Sequence, residues 1–344
     1  MAEQNKPLPL YKRKVLIVKI NAIGDVVMAL PMATYLRALD PNVHITWICG
    51  KTPAPLLEAV GIVDEIIKTD EKQLLTGSFL KKLWALAKIW KKLAFSSFDQ
   101  IFIAHLDSRY RFLTLFTRAK EQKNLSLVPG RYHSDEYVRL VSGKEAFNQC
   151  KAILPIWTYP LDRNLKKIID QGKKPIVALA PGGAKNALAD NPLRRWPIQH
   201  YVALAKELSS KNYTIALTGA ASDAWILHYF AELDFLNLVG KADLPNLVSF
   251  YKYCALLITH DSGPLHLAKL ANIPTIALFG PTLPSHFVPS NTPKIKLFWG
   301  GKDLPCRPCH DGKKFANCGN NLCMNSISPK DVEISALEIL KFFS

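Results

Sequence analysis

The chain has 344 residues, of which 49% are apolar and 21% are charged. That length exceeds what one hydrophobic core usually supports, so we expect two domains. No apolar run reaches the roughly 20 residues that span a bilayer, and residues 1–14 are polar and basic rather than signal-like, which argues against a membrane-spanning or exported chain. We therefore expect a cytoplasmic protein with a short frayed N-terminal tail.

Basic residues outnumber acidic ones, 44 to 28, for a net charge of +16. Such a surplus favours an anionic partner: nucleic acid, an anionic membrane or a phosphorylated substrate. The charge is dispersed along the chain, so part of it serves only solubility. A non-catalytic nucleic-acid-binding protein is one interpretation. Against it, the basic residues are not interleaved with an exposed aromatic sheet, and no recognised nucleic-acid module is present.

The first half of the chain alternates strand and helix patterns. The β-branched run from Lys14 to Ile20 is typical of a strand buried on both faces, a short turn follows at Asn21–Asp25, and a helical pattern runs from Val26 to Leu39. Further strands are predicted at 44–48, 65–68 and 100–104, and further helices at 55–60 and 80–95. This alternation predicts a parallel sheet with helices on both faces.

A polar stretch at 161–174 is predicted to be the domain linker, because a second alternation follows it. Strands are predicted at 175–180, 214–218, 255–259 and 274–279, and helices at 198–208, 222–233, 264–270 and 329–343. Ser328 and Pro329 suit the N-cap and first position of the last helix. We therefore divide the chain into residues 1–165, residues 166–328 and a C-terminal helix at 329–344.

The strongest motif runs from Thr259 to Ala268, where a buried strand leads into a helix. A helix N-terminus presents free backbone N–H groups and the positive end of the helix dipole, so this junction suits an anion. Gly263 lets a ligand approach the backbone, Ser262 can cap the helix or donate to a phosphate oxygen, and His266 lies one turn in. The alternative is a capped helix that binds no ligand, and a histidine at this spacing argues against that alternative.

A second motif, Asn21-Ala-Ile-Gly-Asp25, follows the first strand, at the kind of turn where open parallel sheets bind ligands. Gly24 permits a tight turn. Asp25 is either an N-cap carboxylate or a general base that takes a proton from an attacking hydroxyl, and its spacing alone favours the cap.

Weaker signals lie in the second half. A glycine loop follows one predicted strand, two arginines precede the next helix, and the segment Thr218-Gly-Ala-Ala-Ser-Asp223 ends a neighbouring strand. A flexible backbone loop with cations suits a diphosphate, and the segment from Thr218 to Asp223 is a candidate for contact with a nucleotide base or ribose. The residues concerned are Gly182, Gly183, Arg194, Arg195, Thr218 and Gly219.

Taken in order, these motifs resemble glycosyltransferase family 9, the bacterial ADP-heptose:lipopolysaccharide heptosyltransferases. The matching features are the strand before Gly24 and Asp25, the Pro-Gly-Gly loop at 181–183, Arg-Arg-Trp-Pro at 194–197, Asp-Ser-Gly-Pro-Leu-His-Leu-Ala at 261–268 and Leu-Phe-Gly-Pro-Thr at 278–282. The resemblance runs from about Lys14 to the end of the chain. It implies an α/β GT-B fold, in which two Rossmann-like domains with parallel sheets face a central cleft.

The resemblance also implies roles. The N-terminal domain would bind the acceptor and the C-terminal domain the nucleotide-sugar donor, in an inverting, metal-independent reaction. Asp25 matches the family's catalytic aspartate, and the absence of an Asp-x-Asp motif agrees with metal independence. Helix-end amides and nearby cations would stabilise the departing ADP. The donor-binding element is matched by Asp261, Ser262, Gly263 and His266, with Arg194 near the family's basic residue for the donor phosphates.

The implied acceptor is the anionic lipid A-core at the inner leaflet of the inner membrane, with no nucleic acid involved. An alternative within the family is transfer of heptose to a protein, as autotransporter heptosyltransferases do. The candidates to contact the acceptor or hold its anionic groups are Lys19, Asn21, Lys51, Arg109, Arg111 and Arg131.

The segment from Lys81 to Lys92 predicts a basic amphipathic helix. One interpretation is a helix on an anionic membrane surface. The other, which we favour, is a domain helix that packs its apolar face on the sheet. Lys81, Lys88 and Lys92 are predicted on one face, and Leu83, Leu86, Trp90 and Leu93 on the opposite one.

The chain has seven cysteines, and an odd count without an export signal argues against a disulfide framework. Cys49, Cys150 and Cys254 are predicted to be buried thiols. The others crowd near the C-terminus, in a spacing that suits a tetrahedral structural site for zinc or iron, or else a family trait without metal. They are Cys306, Cys309, Cys318 and Cys323. No cofactor is expected for catalysis.

Overall fold

The computed structural model describes residues 12–143, 151–171, 175–185, 190–309 and 315–342. The chain forms two compact units. Unit 1 draws on Met1–Ile20, Ala29–Leu127 and Asp135–Ile153, and unit 2 on Asn21–Met28, Val128–Ser134 and Leu154–Ser344. The main change of unit therefore falls near residue 153, whereas the sequence suggested residue 165, and the C-terminal helix packs within unit 2.

Unit 1 is built on a parallel sheet. Its strands are β1 (Lys14–Val18), β2 (His44–Gly50), β3 (Glu65–Thr69), β4 (Ser97–Ile103) and β5 (Arg118–Asn124). The strand order is β3-β2-β1-β4-β5. The helices that accompany them are α1 (Ile23–Leu39), α2 (Ala54–Val60), α3 (Glu71–Thr76), α4 (Phe79–Leu93) and α5 (His133–Ser142). The first residues of α1 and of α5 pack with unit 2.

The centre of this sheet is apolar because it is covered by helices. In β1, the side chains from Val15 to Val18 are fully buried, as expected of a parallel strand covered on both faces. One cover is α4, whose Ile89 and Leu93 belong to the same core cluster as Leu16 and Val18. The order of the strands reverses between β1 and β4, which makes this position the switch point of the sheet, where ligands bind in open parallel sheets.

Unit 2 repeats this plan with a longer sheet. Its strands are β6 (Ile176–Ala180), β7 (Thr214–Leu217), β8 (Leu236–Asn237), β9 (Cys254–His260), β10 (Thr275–Phe279) and β11 (Ile295–Trp299). The order is β11-β10-β9-β6-β7-β8, all parallel. The helices are α6 (Arg163–Gln171), α7 (Ile198–Ser210), α8 (Leu244–Tyr251), α9 (Gly263–Ala271), α10 (Leu322–Asn325) and α11 (Pro329–Leu340).

The strand order in unit 2 reverses between β6 and β9. This switch point, the place where the order of the strands reverses, lies beside the predicted motif Thr259–Ala268 at the start of α9. The C-terminal segment closes the same core. Trp196 is buried against Tyr201, and its indole N–H donates to the carbonyl of Ile327 at 3.0 Å. Ser328 caps α11 by accepting from the backbone N–H of Lys330, as predicted.

Several predicted elements differ from the structure. The predicted linker contains α6. The side chain of Asp162 caps the start of this helix by accepting a hydrogen bond from the backbone N–H of Asn164. Residues 222–233 form a 3-10 helix, Ala221–Phe230, rather than an α-helix. Helix α1 begins at Ile23, so Asp25 lies within its first turn and is not the N-cap. Strand β5 was not predicted because it is a polar edge strand without an apolar pattern.

Two of the predicted buried thiols, Cys49 and Cys254, are buried. Cys150 lies outside the described residues. Among the described helices, none combines the length and the apolar character that crossing a membrane requires.

Candidate functional site

The two loops that leave the sheet of unit 2 at its switch point lie against each other. Gly183, in the loop after β6, has a positive φ of 79°, and a Cβ placed there would lie 3.5 Å from the Cβ of Ser262, after β9. The predicted glycine loop and the predicted helix start are therefore neighbours. This is where ligands bind in open parallel sheets.

The carboxylate of Asp223, the last residue of the predicted segment from Thr218, fixes the glycine loop, a role that the sequence did not predict. Asp223 is buried and accepts from the backbone N–H of Gly183 at 3.0 Å and of Ala220 at 2.8 Å. Gly182 and Gly219 both pack on this side chain, so a Cβ at Gly182 would lie 2.5 Å from its Cγ. The available signal was an aspartate shortly after the Thr-Gly strand end.

Arg194 and Asp261 form an ion pair at this junction. The guanidinium Nη2 of Arg194 lies 2.9 Å from Oδ1 of Asp261, which is 1% exposed, and Thr282 donates its hydroxyl to Oδ2 at 2.7 Å. Oδ2 of Asp261 is thus hydrogen-bonded to Thr282 and Oδ1 is ion-paired with Arg194, but Oδ1 has no hydrogen-bond partner among the described residues. The ion pair indicates a positioning role for Asp261, and its direct contact with a ligand stays a prediction.

Arg195 braces the glycine loop. Its guanidinium donates to the carbonyl oxygen of Gly183 through Nε at 3.0 Å and Nη2 at 2.9 Å, and it pairs with Asp190. The two predicted arginines therefore lie beside the predicted loop, as the diphosphate hypothesis requires. Arg195 contacts the loop itself, and Arg194 contacts Asp261.

The start of α9 is open. Ser262 has the extended backbone of an N-cap, but its hydroxyl donates to the carbonyl of His260 at 3.2 Å and does not cap the helix. A Cβ at Gly263 would meet nothing within 4 Å. Space at the positive end of a helix dipole, without a capping side chain, is what an anion needs.

His266 is buried beneath this helix start. Burial, with the nearby cations Lys269 and Arg194, holds the pKa of its imidazole well below the ordinary value, so the ring is neutral at pH 7. Its Nδ1 has no hydrogen-bond partner within the described part of the chain. The cations that depress this pKa would also attract an anion.

The loop that carries Asp25 packs directly on His266. A Cβ at Gly24 would lie only 2.5 Å from Cδ2 of His266, so Gly24 is required for this approach. Asn21–Met28 accordingly packs as part of unit 2. The structure thus brings Asp25, in the first turn of α1, to the region of the α9 start.

Not every predicted site residue is available to a ligand. Thr218 is fully buried, and its hydroxyl forms a hydrogen bond with that of Tyr251 at 3.0 Å, which argues against the predicted contact with a nucleotide. Gly219 makes room for Asp223, because an added Cβ would lie 3.0 Å from the aspartate Cβ, and its contact with a nucleotide stays a prediction.

Of the predicted acceptor-binding residues, Lys19, Lys51, Arg109 and Arg111 belong to unit 1, whereas Asn21 and Arg131 belong to unit 2. The four in unit 1 differ in exposure. Lys19 is buried, with Nζ 5.1 Å from the ring centroid of Tyr137. Lys51 and Arg109 are exposed and pair with Asp70 and Asp107, and Arg111 donates to Asn124. Arg109 and Arg111 follow β4, beside the switch point of this sheet.

The cysteine-rich segment partly converges. The Sγ of Cys323 would lie 2.8 Å from a Cβ on Gly280, and the backbone N–H of Cys309 donates to the carbonyl of the adjacent Pro281. Cys306 and Cys318 are exposed. Across the described ranges, which omit 310–314, no three His, Cys, Asp or Glu side chains stand ready to hold a metal ion.

A cavity of about 720 Å³ lies elsewhere in unit 2, lined by residues such as Leu283, Ile295 and Trp299. It contains none of the predicted site residues, and its lining is mostly apolar. We therefore place the site at the switch point rather than in this cavity.

Together, the observations define an α/β protein with two parallel sheets and an open helix start at the switch point of unit 2. A sequence model of glycosyltransferase family 9 (heptosyltransferase) matches residues 137–318, more than half of the 344 residues. The chain belongs to this family and is a glycosyltransferase.

Similarity to individual proteins supports the same family. The chain is 27% identical over 303 residues to lipooligosaccharide heptosyltransferase 2 of Haemophilus influenzae, a match that covers 80% of this chain and 85% of that protein. A family 9 glycosyl transferase from Veillonella parvula superposes with a TM-score of 0.76 at 19% identity, covering 95% of this chain and 97% of that one. Escherichia coli ADP-heptose lps heptosyltransferase II superposes with a TM-score of 0.72 at 21% identity, covering 96% of this chain and 100% of that one. The predicted GT-B fold is confirmed.

A pair of glycine substitutions tests the packing of the site. Gly182→Ala places a methyl group 2.5 Å from Asp223, which must move and release two backbone N–H groups. We expect a loss of about 1–3 kcal/mol in the free energy of unfolding. Gly263→Ala is the matched control, because its methyl group meets open space, and should change stability by less than about 1 kcal/mol. Equal effects in denaturant unfolding would contradict this geometry.

The pH dependence of stability tests the buried histidines. Burial, and then Arg194 and Arg195, lower the pKa of His260 from 6.5 to about 3. Because the folded state keeps this ring neutral, its contribution is complete above pH 6.5 and is lost as the pH falls toward 3, by about 1.4 kcal/mol per pH unit.

The variant His260→Gln cannot titrate and retains a hydrogen-bonding group for the hydroxyl of Tyr201, which lies 3.2 Å from Nδ1. Denaturant unfolding at several pH values between 7 and 5 should therefore show a shallower acid slope for His260→Gln than for the wild-type protein. Parallel slopes would show that His260 takes up no proton on unfolding.

Proposed function

We propose that this enzyme transfers heptose from ADP-heptose to an inner-core lipopolysaccharide acceptor, with inversion at the anomeric carbon. The observation that carries the proposal is the packing of the Asp25 loop, through Gly24, on His266 at the open start of α9. A candidate base and a candidate diphosphate site are thereby held in one compact unit. The relatives named as heptosyltransferases supply the sugar and the acceptor class.

The diphosphate of the donor would lie at the start of α9. Open space at Gly263 admits a phosphate, and Ser262 offers a hydroxyl beside it. Lys269 and Arg194 supply positive potential at this place. Burial is the main cause of the lowered pKa of His266, and these two cations lower it further. As ADP departs, these groups stabilise the negative charge that develops on its terminal phosphate.

Asp25 would act as the general base. Its carboxylate takes the proton of an acceptor hydroxyl while that oxygen forms a bond to the anomeric carbon of the heptose. The bond from this carbon to the phosphate oxygen breaks, and the electron pair leaves with ADP. Attack opposite to the leaving group inverts the anomeric carbon.

The acceptor is proposed to be the anionic lipid A-core at the cytoplasmic face of the inner membrane, with the enzyme peripheral to that membrane. Arg109 and Arg111, beside the switch point of unit 1, are suited to its anionic groups. An acceptor screen with mass-spectrometric detection separates this proposal from transfer to a protein.

Replacing the proposed base tests the mechanism. Asp25→Asn should lower kcat by roughly 10²–10⁴-fold, because the amide cannot take up the proton. Binding of ADP, followed as thermal protection, should be unchanged. Asp331→Asn is the matched control, since Asp331 also lies in the first turn of a helix. Wild-type turnover by Asp25→Asn would remove Asp25 from the mechanism.

The structural metal remains part of the proposal, as zinc or iron held by the four C-terminal cysteines. The approach of Cys309 and Cys323 to Gly280 and Pro281 supports it, whereas the exposed Cys306 and Cys318 would have to turn inward. No catalytic step depends on this metal. Elemental analysis should find about one ion per chain, lost in Cys306→Ser with Cys309→Ser; metal-free, folded protein would reject the site.

A further inference from the structure

Helix α4 of unit 1 carries large apolar side chains on its solvent side. Phe79, Leu80, Leu83 and Trp84 are 78%, 75%, 44% and 55% exposed. The buried side of the helix is a different one, formed by Ala85, Ile89 and Leu93. These outer side chains are therefore not needed for the core, and Leu83 does not share the packed face on which the sequence pattern placed it.

The apolar row continues beyond the helix. Leu83 and Trp90 are seven residues apart, so they lie on nearly the same side of α4. The indole N–H of Trp90 donates to the carbonyl of Phe112 at 2.7 Å, and its ring meets that of Phe116 edge-on, with centroids 5.0 Å apart. Exposed side chains at this end are Phe112, Leu115 and Phe116.

We call this surface the outer apolar patch. It consists of Leu80, Leu83, Trp84, Phe112, Leu115 and Phe116. Single exposed apolar residues are normal on a protein surface, whereas several of them grouped around one helix are typical of an interaction site.

Cations border the patch without carboxylates to balance them. Helix α4 contains five lysines, and residues 79–98 contain no Asp or Glu. None of these lysines forms an ion pair with a described residue. The Nζ of Lys88 lies 3.2 Å from the ring centroid of Trp84, so charge and aromatic surface are directly adjacent. The lysines are Lys81, Lys82, Lys88, Lys91 and Lys92.

We infer that the outer apolar patch is a docking surface for a lipid bilayer with anionic headgroups. Trp, Phe and Leu side chains enter the headgroup region while the lysines contact lipid phosphates, which is the composition of interfacial helices. A second copy of the chain fits poorly as the partner. In a symmetric dimer the lysines of one copy would face the lysines of the other, and the like charges would repel. The inference deepens the proposed function, on which its choice of an inner-membrane surface rests.

The test uses the full chain and vesicles without any acceptor. Wild-type protein should co-sediment with vesicles that contain phosphatidylglycerol and much less with phosphatidylcholine alone. Leu80→Ser with Trp84→Ser should weaken this partitioning by about tenfold or more. Lys88→Gln with Lys91→Gln should weaken it by roughly tenfold, and added salt should erase the difference.

Matched controls carry the same changes elsewhere. Tyr253→Ser with Ile334→Ser removes two similarly exposed apolar side chains, and Lys166→Gln with Lys167→Gln removes two exposed lysines. Both should bind vesicles like the wild type. Circular dichroism and Tm confirm that each variant folds.

Three outcomes would overturn the inference: absence of wild-type binding to anionic vesicles, equal losses in the patch and control variants, or a wild-type dimer that the patch variants dissociate. Transfer to a deacylated, water-soluble acceptor separates the two proposals. Patch variants should retain wild-type rates on it. If the wild type binds vesicles yet transfers no heptose to any acceptor, the proposed function fails and the docking surface stands.

Discussion

The reversal of strand order between β6 and β9 is the constraint on which the site depends. The loops that follow these two strands begin side by side, so that Gly183 in one loop lies next to Ser262 in the other. The positive end of the α9 dipole therefore lies beside a loop of backbone groups. Such a junction favours anion binding before any specific side chain is considered.

Buried charges keep this site rigid. Asp223 holds the glycine loop through two backbone N–H groups, and Asp261 is held by Arg194 and Thr282. Removing one member of such a set leaves a buried charge without its partner, which costs far more than a surface pair contributes. Burial lowers the pKa of both His260 and His266, and Arg194 lowers both further, so this one guanidinium couples the electrostatics of the loop to that of the helix.

Local patterns in the sequence were enough to predict the alternating sheets and, to within a few residues, the helix starts near Gly263 and Asp25, because these depend on neighbouring residues. Contacts between distant segments were not predictable. Asp223 gave only a weak local signal, and the burial of Thr218 against Tyr251 depends on a strand and a helix 33 residues apart. The outer apolar patch was missed for a similar reason: helical spacing does not reveal which side the sheet will cover.

The contact between Gly24 and His266 has an evolutionary consequence. An ordinary Cβ at position 24 would overlap the imidazole, so a larger residue there is admissible only if position 266 becomes smaller at the same time. Positions separated by most of the chain are therefore expected to co-vary among relatives. Where a relative keeps glycine at the first position, the second is free to retain an imidazole, and substitution of either one alone would be selected against.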